Sequence, residues 1–207
     1  QFETMEDLEK IQMVPLRANK EAEGVVMDEA KRIFEGIAPV YWEGVSLHSG
    51  LWDTISQWQG VEECYYQLLD EPELLHAIME RLTGFMLEQI RQGNEDGLFD
   101  TASSLCHCSH TIVKPFGSGM EDRPGISQNS WTFGLAQLFT SASPEVTKEF
   151  EVPYVSRIFE QFGDVYYGCC ERLDDRLDIL ESLPNVRKIS CSPWSNPEHF
   201  ASVLNKR

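Results

Sequence analysis

The feature that most constrains this chain is an alternation between short apolar runs, typical of buried strands, and longer segments with helical spacing. Residues 165–172 show it most clearly, because Val-Tyr-Tyr stops at Gly-Cys-Cys and a polar, helix-like segment follows. In α/β proteins, a buried strand that ends in glycine and reactive side chains before a helix places chemistry at the carboxyl ends of the strands. The pattern therefore predicts a strand followed by a functional site.

The same alternation extends over most of the chain and predicts its fold class. Helical spacing and helix-start signals mark the segments 19–37, 52–69 (two short helices broken near Gly60), 72–92, 143–162 (kinked at Pro153), 173–183 and 196 onward. Strand-like runs, rich in β-branched and aromatic residues, are 39–47, the run that starts at Gly97, 131–139, the run that ends at Gly168, and 187–191. Strands that alternate with helices predict an α/β fold with a parallel sheet of about five strands, in one domain over residues 1–207.

The charge and the cysteine content exclude several classes of partner. The chain has 34 Asp and Glu against 17 Lys and Arg, a formal net charge of -17, so long-range electrostatics repel nucleic acid and anionic membranes. Six cysteines in 207 residues do not resemble a small disulfide framework, which favours reduced thiols in a cytoplasmic protein. No apolar run reaches the roughly 18 residues of a membrane span. We therefore expect a cytoplasmic protein that binds neither nucleic acid nor a membrane.

Three short motifs together suggest a family. Residues 70–74 read Asp-Glu-Pro-Glu-Leu before a long helix, Ser143-Pro144-Glu145 precedes Glu149-Phe150 and Pro153-Tyr154, and residues 168–171 read Gly-Cys-Cys-Glu at the end of a strand. This order resembles the superfamily of uroporphyrinogen decarboxylase and the cobamide-dependent methyltransferases. Residues 190–194, Ser-Cys-Ser-Pro-Trp, are similar to uncharacterised members of that group. The similarity covers most of the chain from about Asn19 onward.

The resemblance implies a TIM-type barrel with its site at the carboxyl end of the strands. It also implies that this chain is the central part of the usual domain, without the first and last strands of the barrel. The expected fold is thus an incomplete TIM-barrel-like α/β structure of about five strands. Open sheet edges are normally paired or covered, so we also expect association into a homo-oligomer through those edges.

The resemblance further implies a zinc site. In the methyltransferases, zinc is held by a His-x-Cys pair at the end of one strand and by a later Cys, and it binds and activates a thiol. Here the pair falls on Tyr167 and Cys169, whose spacing of two puts both on one face of a strand. The later Cys is expected beyond Arg207, and Cys191 is a substitute by the proximity of strand ends.

A second group of potential zinc ligands lies at another predicted strand end. It consists of Cys106, His107, Cys108 and His110, and in an extended segment Cys106 and Cys108 share one face. With Cys169 and Cys191 these residues would form a thiolate-rich rim. Reduced cysteine is also often buried for packing alone, so a metal site and simple packing both remain open interpretations of this group.

Three further residues near the strand ends have two interpretations each. Glu171 either orients a ligand or moves a proton at the rim, or is an acid of a first helical turn favoured by the helix dipole. His48 follows a predicted strand, so it either lines the site or is an ordinary surface residue. Cys170 alternates away from Cys169 and is expected to pack against a helix.

Three functions from different classes follow. The first is methyl transfer between a corrinoid, either free or bound to a partner corrinoid protein, and a small thiol, assisted by zinc on Cys169 and the Cys106–His110 group. The second is a decarboxylase-like lyase on an acidic small molecule, for which Arg172, Lys114 and Arg123 are the candidate cations. The third is a non-catalytic partial barrel or scaffold subunit. We place methyl transfer first, because thiols at strand ends suit zinc–thiolate chemistry better than cofactor-free decarboxylation.

Overall fold

The structure is a computed structural model that describes residues 1–101, 105–106, 109–110 and 124–204, with the backbone alone for 105–106 and 109–110. The α-helices are α1 (Lys20–Ile33), α2 (Leu51–Gln59), α3 (Val61–Asp70), α4 (Pro72–Asp96), α5 (Pro144–Phe150), α6 (Val152–Phe159), α7 (Leu177–Glu181) and α8 (Pro197–Leu204). The strands are β1 (Leu105–Cys106), β2 (Ser109–His110), β3 (Trp131–Gly134), β4 (Asp164–Tyr167) and β5 (Val186–Ile189). Short 3-10 helices lie at Met5–Lys10, Ser127–Asn129 and Gln137–Ser141.

The break between α2 and α3 and the start of α4 lie where the sequence predicts, whereas α4 continues to Asp96, beyond its predicted end at residue 92. Gly60, with φ of 91°, separates α2 from α3, a backbone conformation that favours glycine. Pro72 occupies the first turn of α4, and Gly97 ends that helix in the left-handed region. One stripe of α4 is buried in the main core, as its periodicity predicts, and includes Leu74, Leu75, Ile78, Met79 and Ile90.

The sheet is parallel, and β4 is its central strand between β3 and β5. In its register Phe133 lies beside Tyr166, and Tyr166 lies beside Lys188. Parallel strands start and stop at the same ends of a sheet, so the residues after β3, β4 and β5 share one rim. The strand β1 lies next to β3 and pairs with β2 in an antiparallel ladder.

The prediction of an incomplete TIM-type barrel of about five strands is wrong. In the described part of the chain the parallel sheet has three strands. The predicted strand 39–47 and the start of the predicted run from Gly97 meet only in one isolated bridge, Val45 with Phe99, and a second isolated bridge joins His48, just after 39–47, to Phe133. The physical reason is the environment of the aromatic residues in 39–47. Tyr41 is 78% exposed and Trp42 is 56% exposed, whereas aromatic residues favour strands where they pack on a half-buried pleated surface.

The two faces of the sheet bury different clusters. The larger core lies on the helical side and includes Val165 and Tyr167 of β4 together with α4 and α6. Side chains alternate along a strand, so Phe133 and Tyr166 point to the other face, where they form a smaller cluster with Leu135. β5 borders the sheet among the described residues. Association with another copy through a sheet edge remains a prediction.

Two features of the helices bear on possible partners. No residue of α1 is buried, although its sequence has helical periodicity. In the part of the chain that the structure describes, none of the helices is both long and apolar enough to cross a membrane.

The close packing of β3 against α6 gives a stability prediction. A β-carbon on Gly134 would overlap with the Phe159 ring, so we expect Gly134→Ala to lower the free energy of unfolding by about 1–3 kcal/mol. Gly84→Ala is the matched control, because Gly84 lies in α4 with open space around it, and we expect it to raise that free energy by roughly 0.5–1 kcal/mol. Urea unfolding of both variants measures the two changes. Equal effects would contradict the packing of β3 on α6.

Candidate functional site

Gly168 determines how the chain leaves the carboxyl end of β4. Its φ is 92°, in the region that glycine alone adopts readily, and a β-carbon there would overlap with the Leu173 side chain. The Gly168 N–H donates to the carbonyl oxygen of Gly134, 2.8 Å away, which fixes the turn against β3. The strand alternation therefore stops at Gly168, and the next residues do not follow the faces of β4.

Two thiols follow this turn. The Sγ atoms of Cys169 and Cys170 lie 3.4 Å apart. Cys169 is half-buried and packs against the small cluster of Phe133, Leu135 and Tyr166, whereas Cys170 is exposed. The expectation that Cys170 packs against a helix is thus wrong, because it extended the alternation of β4 beyond Gly168.

The backbone N–H and carbonyl groups of Cys169 both form hydrogen bonds to side chains. Its N–H donates to Oε2 of Glu171 at 2.8 Å, and its carbonyl oxygen accepts a hydrogen bond from Oγ of Ser190, also at 2.8 Å. Ser190 follows β5, and its own N–H donates to the carbonyl oxygen of Tyr167 at 2.8 Å. These bonds join the ends of β4 and β5. They place the exposed Cys191 on the same rim, as the order of the strands predicts.

Glu171 is a buried carboxyl group next to the thiols, with 3% of its surface exposed. Burial raises the pKa of this carboxyl group and the charge of Asp53 raises it further, whereas hydrogen bonds from backbone N–H groups, including that of Cys169, oppose the shift. Among the described residues its Oε1 atom has no hydrogen-bond partner. Its alternative interpretation as a first-turn acid does not apply, since the next helix, α7, begins at Leu177.

Tyr167 points away from the thiols and into the helical core. Its hydroxyl group donates to Oε2 of Glu151 at 2.7 Å, and each of the two residues is 1% exposed. Burial and the nearby charge of Glu151 raise the pKa of Tyr167 well above its ordinary value. Tyr167 is therefore not placed beside Cys169, although their spacing predicted a shared face.

Glu151 is the functional candidate that sequence reasoning missed. It lies at the break between α5 and α6, with φ of -123° and ψ of -56°, where the sequence predicted one helix kinked at Pro153. The signal was present: proline favours the first turn of a helix, so Pro153 indicates that a new helix starts just before it. Burial raises the pKa of Glu151 to about 8, and the charge of Glu171 adds to the increase, while the hydrogen bond from Tyr167 and the charge of Arg176 oppose it.

Arg176 is the buried cation of this region. Its guanidinium group pairs with Asp175 at 2.9 Å and donates to Oγ1 of Thr147 at 2.9 Å and to the carbonyl oxygen of Ala142 at 3.0 Å. The N–H groups of the guanidinium group are thus engaged by Asp175, by the loop before α5 and by α5 itself. Arg176 thus supplies positive potential near Glu151 without forming a direct ion pair with it.

His48 lies on the surface beside β3. Its ring contacts the Phe133 ring edge-on, with centroids 4.9 Å apart, and its Nδ1 accepts a hydrogen bond from the N–H of Gly50 at 3.2 Å. Phe133 belongs to the small cluster that Cys169 also contacts. His48 and Cys169 therefore border the same cluster, and the role of His48 in lining the site stays a prediction.

The second predicted ligand group, Cys106–His110, lies largely outside the described residues. Cys106 and His110 belong to β1 and β2, of which only the backbone is described, and His107 and Cys108 lie outside the described residues. Among the described residues, no group of three or more His, Cys, Asp or Glu side chains is arranged to hold a metal ion. Zinc ordinarily takes three or four protein ligands, and Tyr167 is committed to Glu151, so the described residues alone do not fit a zinc site. The zinc prediction now depends on the Cys106–His110 group together with Cys169.

Comparison with protein-family models, with curated proteins and with solved structures finds no match. The resemblance to the uroporphyrinogen decarboxylase superfamily therefore remains a prediction from short motifs.

The raised pKa of Glu151 predicts a pH dependence of stability. Below about pH 4.5 the carboxyl group is protonated in both the folded and the unfolded chain, whereas between pH 4.5 and about 8 only the unfolded chain loses the proton. The free energy of unfolding therefore falls as the pH rises through this window, by up to about 1.4 kcal/mol per pH unit from this group. Above about pH 8 the contribution is constant.

Glu151→Gln isolates this contribution, since a neutral amide still accepts the hydrogen bond from Tyr167. We expect the variant to gain stability over the wild type as the pH is raised from 5 to 8. Urea unfolding at several pH values measures the difference. Glu160→Gln is the control, because Glu160 is an exposed acid at the end of α6, and it should leave the pH profile unchanged. Parallel profiles for wild type and Glu151→Gln would contradict the burial of this carboxyl group.

Proposed function

We propose that the protein is a thiol-dependent enzyme that acts on a small molecule at the carboxyl end of its parallel strands, and that its reaction is methyl transfer to a thiol. One observation carries the proposal: the sulfur atoms of Cys169 and Cys170 lie 3.4 Å apart at the end of β4, next to the buried carboxyl group of Glu171. The carboxyl ends of parallel strands are where α/β enzymes bind ligands.

The thiols and the acid have complementary roles in the proposal. The thiolate form of cysteine is the nucleophile and the ligand for soft groups, and Cys170 is exposed to solvent, where a small molecule can reach it. Glu171 is the proton acceptor for the reacting thiol. A carboxyl group whose pKa is raised toward neutrality exchanges a proton more readily at neutral pH than an exposed one.

The charges near the rim favour methyl transfer over decarboxylation. Substrate carboxylates require available cations, preferably arginine in bidentate geometry. Arg172 already makes a bidentate pair with Asp174, at 2.9 and 3.1 Å, and Lys188 lies over the Tyr166 ring, 5.8 Å from its centroid. Lys114 and Arg123, the other predicted cations, lie outside the described residues. The thiols are thus the better-supported chemistry.

The identities of the methyl donor and the metal rest on the sequence resemblance alone. The proposed donor is a corrinoid, bound to a partner protein or free, and the proposed acceptor is a small thiol. Zinc, if held by Cys169 together with the Cys106–His110 group, would supply a Lewis acid that lowers the pKa of the acceptor thiol. The chain's own contribution is to position Cys169 through its two backbone hydrogen bonds and to accept a proton at Glu171.

Thiol labelling tests the site without a substrate. We expect iodoacetamide to modify Cys170 faster than Cys64 in the native protein, because Cys170 is exposed. Cys64 is the internal control, since it is fully buried in α3 and burial raises the pKa of its thiol. Peptide mass spectrometry after timed labelling gives the two rates. Equal labelling rates for Cys170 and Cys64 in the folded protein would reject the proposed site.

Turnover tests the reaction itself. The assay uses methylcobalamin and 2-mercaptoethanol, with zinc added and all thiols reduced, and follows the loss of the methylcobalamin absorbance. We expect Cys169→Ser to abolish the reaction and Glu171→Gln to slow it by about 10²-fold, the size of a general acid–base contribution. Cys64→Ala, assayed well below its unfolding temperature, should retain the wild-type rate. Absence of turnover in zinc-loaded wild-type protein would reject methyl transfer.

A further inference from the structure

We infer that Cys169 and Cys170 are a redox modification site, at which a small disulfide of the glutathione type converts the two thiols reversibly into a vicinal disulfide. The inference concerns the thiol pair alone and does not require the methyl-transfer reaction. It rests on the contact between the two sulfur atoms, the exposure of one of them and the rigid turn that presents them.

The two sulfur atoms are already neighbours. Their separation of 3.4 Å leaves no room for an intervening atom, so a disulfide forms by a short rotation of side chains. Of the other described cysteines, Cys64 is buried in α3, and Cys191 is exposed at the end of the adjacent strand. Cys191 is therefore the one described competitor for the pair.

The backbone around the pair is fixed. Gly168 holds the turn, and the N–H and carbonyl groups of Cys169 are bonded to Glu171 and Ser190. Reacting groups that are held close together gain rate because little freedom remains to be lost. The half-buried Cys169 is thus kept in place next to the exposed Cys170.

The exposures of the two thiols assign the order of the steps. Cys170, as the thiolate, attacks one sulfur atom of the small disulfide, forms a mixed disulfide and releases one small thiol, which takes up a proton. Cys169, as the thiolate, then attacks the Cys170 sulfur atom and releases the second small thiol. Two protein thiols are oxidised, one small disulfide is reduced to two thiols, and both protons end on those thiols.

Because the two cysteines are consecutive in the sequence, we expect their disulfide to be easily reduced. Consecutive Cα atoms are about 3.8 Å apart, which is below the usual range of roughly 4.4–6.8 Å across a disulfide. A disulfide outside its preferred geometry stores strain and is easily reduced, as is typical of regulatory rather than structural disulfides. The oxidised pair also lacks a thiolate, so oxidation removes the cysteine thiolates that the proposed site uses.

Mass spectrometry of the full chain tests the inference. After incubation with oxidised glutathione, the wild type should lose two hydrogens in the peptide that carries Cys169 and Cys170, and it should retain no glutathione there. Cys169→Ser should instead keep one glutathione on Cys170, because the resolving thiol is missing. Cys191→Ser is the matched control and should behave like the wild type. Dithiothreitol should return the wild-type peptide to its starting mass.

Two results would overturn the inference. One is wild-type protein that retains glutathione on Cys170, which would show that Cys169 does not resolve the mixed disulfide. The other is a disulfide between Cys191 and either member of the pair. The readout needs no substrate, so a protein that forms the vicinal disulfide but transfers no methyl group would reject the proposed reaction and keep this inference.

Discussion

The hydrogen bond between Tyr167 and Glu151 is the interaction on which the rest of the architecture depends. It joins the end of β4 to the break between α5 and α6, and both side chains are almost completely buried. A charged carboxylate at this depth is unfavourable, so the pair is most stable with Glu151 protonated and the phenol hydroxyl as the donor. Arg176 moderates this cost by its positive potential rather than by direct contact. The helical layer is thus attached to the sheet through a neutral polar pair within an apolar core.

Gly168 separates this buried pair from the thiols. One residue before it, Tyr167 faces the helical core; one residue after it, Cys169 packs on the small cluster of the opposite face. The left-handed turn at Gly168 makes this change of direction possible within three residues. The end of β4 therefore contributes a structural contact on one side and reactive groups on the other.

The sequence predicted the helices better than the sheet, for a physical reason. Periodicity and terminal signals around α4 are local, and Gly60 and Pro72 have the roles that their chemistry predicts, whereas Gly97 ends α4 instead of starting a strand. Strand pairing depends on distant partners, so the aromatic run at Tyr41 and Trp42 indicated a strand that lacks the buried surface it needs. The barrel prediction failed at this point, because it counted this run as one strand of a five-stranded parallel sheet.

The candidate site was predicted in part. The order of strands and helices correctly placed Cys169, Glu171 and Cys191 at one rim, since the carboxyl ends of parallel strands coincide. Spacing alone assigned Tyr167 to the same face as Cys169, and it failed because a period of two holds only while the backbone stays extended. Glu151 was missed because its role depends on burial between elements that are distant from β4 in the sequence.

Glu171 links the end of β4 at the rim to the buried Tyr167–Glu151 pair electrostatically. Its Oε2 accepts a hydrogen bond from the backbone N–H of Cys169, and its negative charge raises the pKa of Glu151 in the core. Ionisation of Glu171 therefore makes ionisation of Glu151 less favourable. Protonation of Glu171 at the rim thus lowers the electrostatic cost of ionising Glu151 in the buried Tyr167–Glu151 pair. The charge at the rim and the stability of the core are for this reason linked properties of one arrangement of charges.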